Sequence, residues 1–88
     1  MMARKLFTVD QSFTIRQRGT ILVPGLVPEG EERFRAGDAL RLVYPDGSDI
    51  ETTIKGLDLL NLGPQGETAV LVAWQESEVP IGTEVWSL

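Results

Sequence analysis

The sequence predicts an all-β protein, a small six-stranded antiparallel β-barrel, and three observations favour this class. Turn-forming residues interrupt the chain about every ten residues, a spacing typical of small barrels and sandwiches. The runs between the turns are short, and several of them alternate apolar with polar side chains, as half-buried strands do. No window keeps the apolar spacing of a helix over about ten or more residues. The 88 residues form one domain, residues 1–88, and its core must be thin.

Six runs between the turns are predicted as strands. Alternation in the first run breaks at 10–12, where we expect a bulge or bend. Pro24, in the second run, cannot donate to a ladder and must therefore lie at an edge or a bulge. The fifth run is the most continuously apolar, which predicts an interior strand. In chain order the predicted strands span 4–15, 20–27, 39–44, 50–55, 68–74 and 84–88.

Alternation also assigns side chains to faces in the third and fourth predicted strands. Arg41 should point outward, opposite its apolar neighbours on both sides. Asp46-Gly47 supplies the residues that a tight hairpin between these two strands needs. The inward side chains are predicted to be Leu40, Leu42, Tyr44, Ile50, Thr52 and Ile54.

Composition argues against catalysis. The chain has no cysteine and no histidine, which removes disulfides, thiolate zinc sites and the commonest general base. Lys55 falls on the polar face of an alternating strand, where we expect solvent exposure. Pairs of carboxylates such as Glu31-Glu32 lie in turn-rich segments, where surface charge is the expected role. We therefore expect no catalytic residues, no metal site and no cofactor.

The length and position of the apolar runs predict the compartment. No run approaches the roughly 18 apolar residues that cross a bilayer, and no apolar run follows the basic residues near the N-terminus. We therefore expect a cytoplasmic protein that does not bind membranes.

Charge is unevenly distributed along the chain. The net charge is −5, yet residues 1–18 hold four basic side chains against one acidic. Net acidity disfavours binding to nucleic acid, which needs cationic neutralisation of phosphates. A local basic surface, formed by Arg16 and its basic neighbours, is the alternative that this uneven distribution allows.

Aromatic side chains are expected mostly in the core, because a thin core needs its large residues. Phe34 is the expected exposed exception, since Arg33 and Arg35 flank it in a loop. This tripeptide is predicted either to contact a partner or to close one end of the barrel.

Four segments in order resemble a known family. Residues 13–25 read Phe-Thr-Ile-Arg-Gln-Arg-Gly-Thr-Ile-Leu-Val-Pro-Gly, and Gly-Asp, Gly-Leu-Asp and Gly-Thr-Glu-Val motifs follow within 34–40, 53–58 and 80–85. The pattern resembles the second domain of translational GTPases such as elongation factor Tu, where the first segment reads Phe-x-Ile-x-Gly-Arg-Gly-Thr-Val-Val-x-Gly. The resemblance implies a six-stranded antiparallel barrel.

The resemblance also implies a binding surface, with departures. In that family the domain helps to hold the aminoacylated 3′ end of tRNA, and Asp10, Arg18 and Asp58 are similar to family residues near that pocket. Gln11 replaces a second acidic residue, and Gln17 replaces the usual glycine. The chain has no P-loop, so the resemblance implies no GTPase activity.

Together these observations predict a non-catalytic binding or adaptor module whose partner is a protein or a second copy of the chain. The alternative is a module that binds RNA, tRNA or the ribosome through its N-terminal basic segment. A third hypothesis is a small-ligand site in the mouth of the barrel, although a narrow barrel leaves little room for a ligand.

Overall fold

The structure, a computed structural model, describes residues 3–30, 32–59, 62–64, 66–73 and 78–88. These ranges contain seven β-strands and no helix, and so none of their segments is a helix able to span a membrane. The strands are β1 (Lys5–Thr8), β2 (Gln11–Ile15), β3 (Gly19–Leu26), β4 (Ala39–Val43), β5 (Asp49–Leu57), β6 (Thr68–Val72) and β7 (Glu84–Ser87).

All seven strands belong to one antiparallel sheet in the order β1-β7-β4-β5-β6-β3-β2. The sheet curls into a half-barrel, which confirms the predicted all-β barrel class. β6 lies between β5 and β3, in the interior of the sheet as expected, although residue 74 of its predicted range lies outside the described residues.

The first predicted strand, 4–15, is two strands, so six predicted strands become seven. The amide of Val9 donates to the Thr83 carbonyl at 2.8 Å, and the next amide, of Asp10, donates to the Val23 carbonyl at 2.8 Å. The chain therefore leaves β1 beside β7 and enters β2 beside β3, at opposite ends of the sheet. The predicted bend is confirmed, but it transfers the chain between sheet ends and so divides the strand.

Pro24 lies at an irregularity in an interior strand. The β3–β6 ladder is regular to Leu22 and resumes at Leu26, with its register shifted between them. This confirms the bulge expected for a proline within a sheet. Gly25 follows in the left-handed region at φ 122°, and a Cβ there would lie 2.1 Å from the Thr68 carbonyl oxygen.

The β4–β5 hairpin matches its predicted pattern. Leu40 and Leu42 are buried, whereas Arg41 between them is exposed. The Gly47 amide donates to the Tyr44 carbonyl at 2.9 Å and closes the tight turn. β5 extends beyond the predicted 50–55, to Leu57, through a register shift after Ile54.

Among the described residues the core is aliphatic, which corrects the expectation that most aromatic side chains fill it; Trp74 lies outside the described residues. Phe7, Phe34 and Tyr44 are only partly buried and pack against this core. A narrow barrel interior accepts branched aliphatic side chains more readily than aromatic rings. The fully buried apolar side chains are Val9, Leu22, Leu26, Leu40, Leu42, Ile54, Val70, Val72, Val79 and Val85.

The close approach of Gly25 to β6 makes its substitution costly. We expect Gly37→Ala, where a Cβ meets no atom within 4 Å, to cost about 1–2 kcal/mol through its left-handed backbone alone. Gly25→Ala should cost about 2–3 kcal/mol more, because the backbone at Thr68 must shift. Urea unfolding of both variants tests this, and equal losses would contradict the close approach.

Candidate functional site

An apolar row crosses the outer surface of the sheet from β2 to β6. The register pairs Phe13 with Ile21 and Ile21 with Leu71, so the three side chains share one face. Ile15 lies on the same face of β2. We call these four residues the apolar outer face. Phe13 is 53% exposed and Ile15 is 44% exposed.

The strands that carry this face contain no charged residue. β2, β3 and β6 are built from apolar and neutral polar side chains alone. In contrast, β1, β4, β5 and β7 each carry charge, and Arg41 lies 3.7 Å from Asp49 across the outer side of the β4–β5 ladder. One curled sheet thus has an apolar half and a charged half.

A shallow pocket of about 340 Å³ opens where the apolar half meets the end of β5. Gly56 pairs with Leu71, and because glycine has no side chain it leaves the space above the sheet open. The amide of Asp58 donates to the Ala69 carbonyl at 3.0 Å, which fixes the residue at the end of β5 beside the pocket. The lining residues are Ile15, Ile21, Gly56, Leu57, Asp58, Ala69 and Leu71.

The three residues implied by the family resemblance are not all brought together. Asp58 lines the pocket, but Asp10 and Arg18 are not among its lining residues. Asp10 is exposed at the bend before β2, and Arg18 is exposed in the turn after β2. The structure therefore places one of the three at the pocket and the other two at the ends of β2.

The β2–β3 turn presents two exposed cations. The amide of Arg18 donates to the Ile15 carbonyl at 2.9 Å, and Gln17 between the arginines adopts φ 65°. Within the described ranges neither Arg16 nor Arg18 forms an ion pair. Gln17 stands where the resembled family has glycine, and its backbone adopts the left-handed conformation that glycine favours.

The loop around Phe34 corrects a second expectation. Phe34 is half-buried against the core, whereas Arg33 and Arg35 are exposed. The Phe34 ring lines an apolar pocket of about 220 Å³ with Leu26 and other side chains at one barrel end. The ring is drawn inward because the loop crosses this opening, where apolar surface would otherwise meet water.

Charged hydrogen bonds tie this loop to the N-terminus. Arg4 contacts Glu29 at 3.3 Å and also pairs with Glu32, while the Glu29 amide donates to the Glu32 carboxylate at 2.7 Å. The hydrogen bond from the Glu29 amide, and then the hydrogen bond from Arg4, lower the pKa of the Glu32 carboxyl. The hydrogen bond to Glu32 in turn raises the pKa of Arg4. These contacts support a role in closing the barrel end.

A second cleft, of about 490 Å³, lies beside the β4–β5 hairpin and is lined by Tyr44, Asp46 and Glu78 among others. The Ser48 hydroxyl and amide both donate to Asp46 and lower the pKa of its carboxyl, so this side chain shapes the turn. Burial, and then the nearby Asp46 charge, raise the pKa of Tyr44. Across the described ranges, no three acidic side chains are grouped to hold a metal ion.

The outward facing of Phe13 and Ile15 was missed by sequence reasoning, which expects aromatic side chains mostly in the core. Val9 is buried, but the bend at Asp10 changes the phase of alternation, so Phe13 and Ile15 face outward. The signal was present, because the break at 10–12 is visible in the sequence. The sequence does not show, however, that this break moves Phe13 and Ile15 to the outer face of the sheet.

Comparison of the chain with protein-family models, curated proteins and solved structures found no match. The resemblance to the translational GTPase domain therefore stays an expectation, and the geometry of the apolar half carries the functional argument.

The left-handed conformation of Gln17 yields a stability prediction. We expect Gln17→Gly to stabilise the protein by about 1 kcal/mol and raise its melting temperature by about 4–8 °C, since glycine adopts this conformation without the steric cost. Thermal unfolding followed by circular dichroism measures the change. Arg16→Gly is the matched control, because Arg16 has no positive φ, and it should not stabilise.

Proposed function

We propose that the protein is a non-catalytic binding module that engages a protein partner, or a second copy of itself, through the apolar outer face. The observation that carries the proposal is the row from Phe13 through Ile21 to Leu71 on strands without a single charge. Exposed apolar patches of this kind on a small globular domain mark interaction surfaces.

The contrast within the sheet supports this proposal. The charged half carries ion pairs on its outer side, such as Lys5 with Glu84 at 3.7 Å. The apolar half gains free energy when a partner removes it from water, by about 25 cal/mol for each Å² of apolar surface. An apolar centre with charges at its margin, here Asp10, Arg16 and Asp58, is the usual anatomy of an interface.

The sequence resemblance supports the same interpretation, since the resembled barrel packs on neighbouring domains. The proposal also includes a cytoplasmic location, as the sequence leads us to expect. Neither catalysis nor a cofactor forms part of it.

Position-specific photo-crosslinking tests the proposal. A photoreactive phenylalanine analogue at position 13, in an extract of the producing cells, should crosslink to a protein, which mass spectrometry identifies. The matched control is the same analogue at Glu51, which is exposed on the charged half, and it should give no such product. Ile15→Glu should abolish the crosslink from position 13. Equal crosslinking from both positions, or none from either, would contradict the proposal.

A second candidate function is binding to RNA or tRNA, as a module associated with the translation machinery. The observation in its favour is that Asp58 lines the pocket while Arg16 and Arg18, in the turn that follows Ile15, are exposed and form no ion pair within the described part of the chain. A shallow apolar pocket could hold a base while the arginines contact phosphates. The net charge of −5 weighs against this candidate.

Light scattering after size exclusion separates the two candidates. We expect the elution and mass of the protein to be unchanged by tRNA at moderate salt, because the chain is acidic overall. A shift with tRNA that weakens steeply with salt, and is lost in Arg16→Glu/Arg18→Glu, would instead establish the RNA candidate. Arg33→Glu/Arg35→Glu, on the loop at one barrel end, is the control with the same change of charge.

A further inference from the structure

We infer that the partner of the apolar half is a second copy of this chain, paired antiparallel along the free edge of β2 with the two-fold axis at Phe13. This inference rests on the proposed function and names its partner. It follows from the free edge, the register and the side chains of the five-residue strand β2, and from the charged residues that flank this strand.

β2 is the last strand of the sheet. It pairs with β3 on one side, and among the described residues no strand pairs with its other side. Its residues are exposed except for half-buried Ser12. Edge strands in other proteins are protected by lysine, proline or inward charge, and the segment Gln11–Ile15 has none of these.

The ladder with β3 shows which backbone groups are free. The hydroxyls of Thr14 and Thr20 lie 3.3 Å apart, the close side-chain approach of a pair that is not joined by backbone hydrogen bonds. By the alternation of antiparallel ladders, the amide and carbonyl groups of Thr14 and Ser12 point away from β3. These groups can receive another antiparallel strand.

The length of β2 selects one register. The strand runs from Gln11 to Ile15, so only a two-fold axis at its midpoint, Phe13, pairs all five residues. In that register Ser12 lies opposite Thr14 of the second copy, and the free backbone groups of both residues are satisfied in both copies. Because residues that lie opposite one another in a ladder have their side chains on the same face, this register also keeps the outer faces of the two sheets on the same side.

The side chains fit this register. The two Phe13 rings meet at the axis as a pair without backbone hydrogen bonds, the closer kind of cross-strand pair. The apolar outer face then becomes continuous, from Leu71 and Ile21 of one copy through both Phe13 rings to the same residues of the other.

The charges at the ends of the strand fit it as well. Asp10 precedes β2 and Arg16 follows it, each three residues from Phe13, and each is exposed without an ion pair among the described residues. The antiparallel register places Asp10 of each copy opposite Arg16 of the other. A parallel arrangement would oppose like charges, so these residues favour the antiparallel one.

Cysteine crosslinking tests the register directly, because the chain has no cysteine of its own. Phe13→Cys should form a disulfide-linked dimer under mild oxidation, since the Cα atoms of such a pair lie about 4.5 Å apart, within disulfide range. Glu51→Cys, on the charged half, should stay monomeric. Thr14→Cys should crosslink more slowly than Phe13→Cys, and the reverse order would overturn the assigned register.

Light scattering of the unmodified protein over a concentration series tests the association itself. The mass should rise from 9.7 kDa toward twice that value, and Phe13→Lys should remain a monomer at every concentration. Asp10→Arg or Arg16→Asp should each weaken dimerisation about tenfold, and the double variant should restore it, because the ion pairs re-form with reversed sign.

The failure of this inference is distinguishable from the failure of the proposed function. An unmodified protein that stays monomeric at every concentration, together with a Phe13→Cys variant that forms no disulfide-linked dimer, overturns self-pairing. A crosslink from position 13 to a different protein would then leave the binding-module proposal standing. Circular dichroism of Phe13→Lys confirms that the variant is folded, and Phe13→Ser serves in its place if it is not.

Discussion

The bend at Val9 and Asp10 is the constraint on which the rest of the structure depends. Two consecutive amides donate to opposite ends of one sheet, to the carbonyls of Thr83 and Val23. The Val9 carbonyl accepts from the Gly82 amide at 2.9 Å, so the bend is held from both directions. These hydrogen bonds bring the segment before β7 and strand β3 to adjacent residues of one bend. The bend therefore contributes to the curvature of the sheet, together with the register shifts in β3 and β5.

The same junction explains how far the sequence predicts the fold and where prediction stops. Alternation places Leu40, Arg41 and Ile54 correctly, because β4 and β5 run without a break through these positions. The bend itself is visible as a break in alternation. Whether the break inserts a residue, and so reverses the facing of Phe13, is decided by the pairing of β2 with β3, which is a tertiary event.

The candidate site was predictable only in part, for related reasons. Asp58 could be singled out by resemblance to a family motif, but its place beside a pocket depends on the pairing of β5 with β6 and on the open space above Gly56. Phe34 was assigned to solvent by its charged neighbours. Those neighbours are indeed exposed, and the ring turns inward because the loop spans a barrel end with apolar walls. Charge in the local sequence therefore predicts the exposure of Arg33 and Arg35, but it does not predict the exposure of the Phe34 ring between them.

An unguarded edge strand is a hazard to a soluble protein, since it can template pairing without limit. The two-fold pairing that we propose would remove that hazard, because each β2 edge is used once and the assembly closes. Asp10 and Arg16 at the two ends of β2 favour this closed arrangement over a parallel one, in which like charges would meet. In the proposed dimer, the uncharged strands β2, β3 and β6 supply apolar contact, and the charges at the two ends of β2 set the geometry of the association.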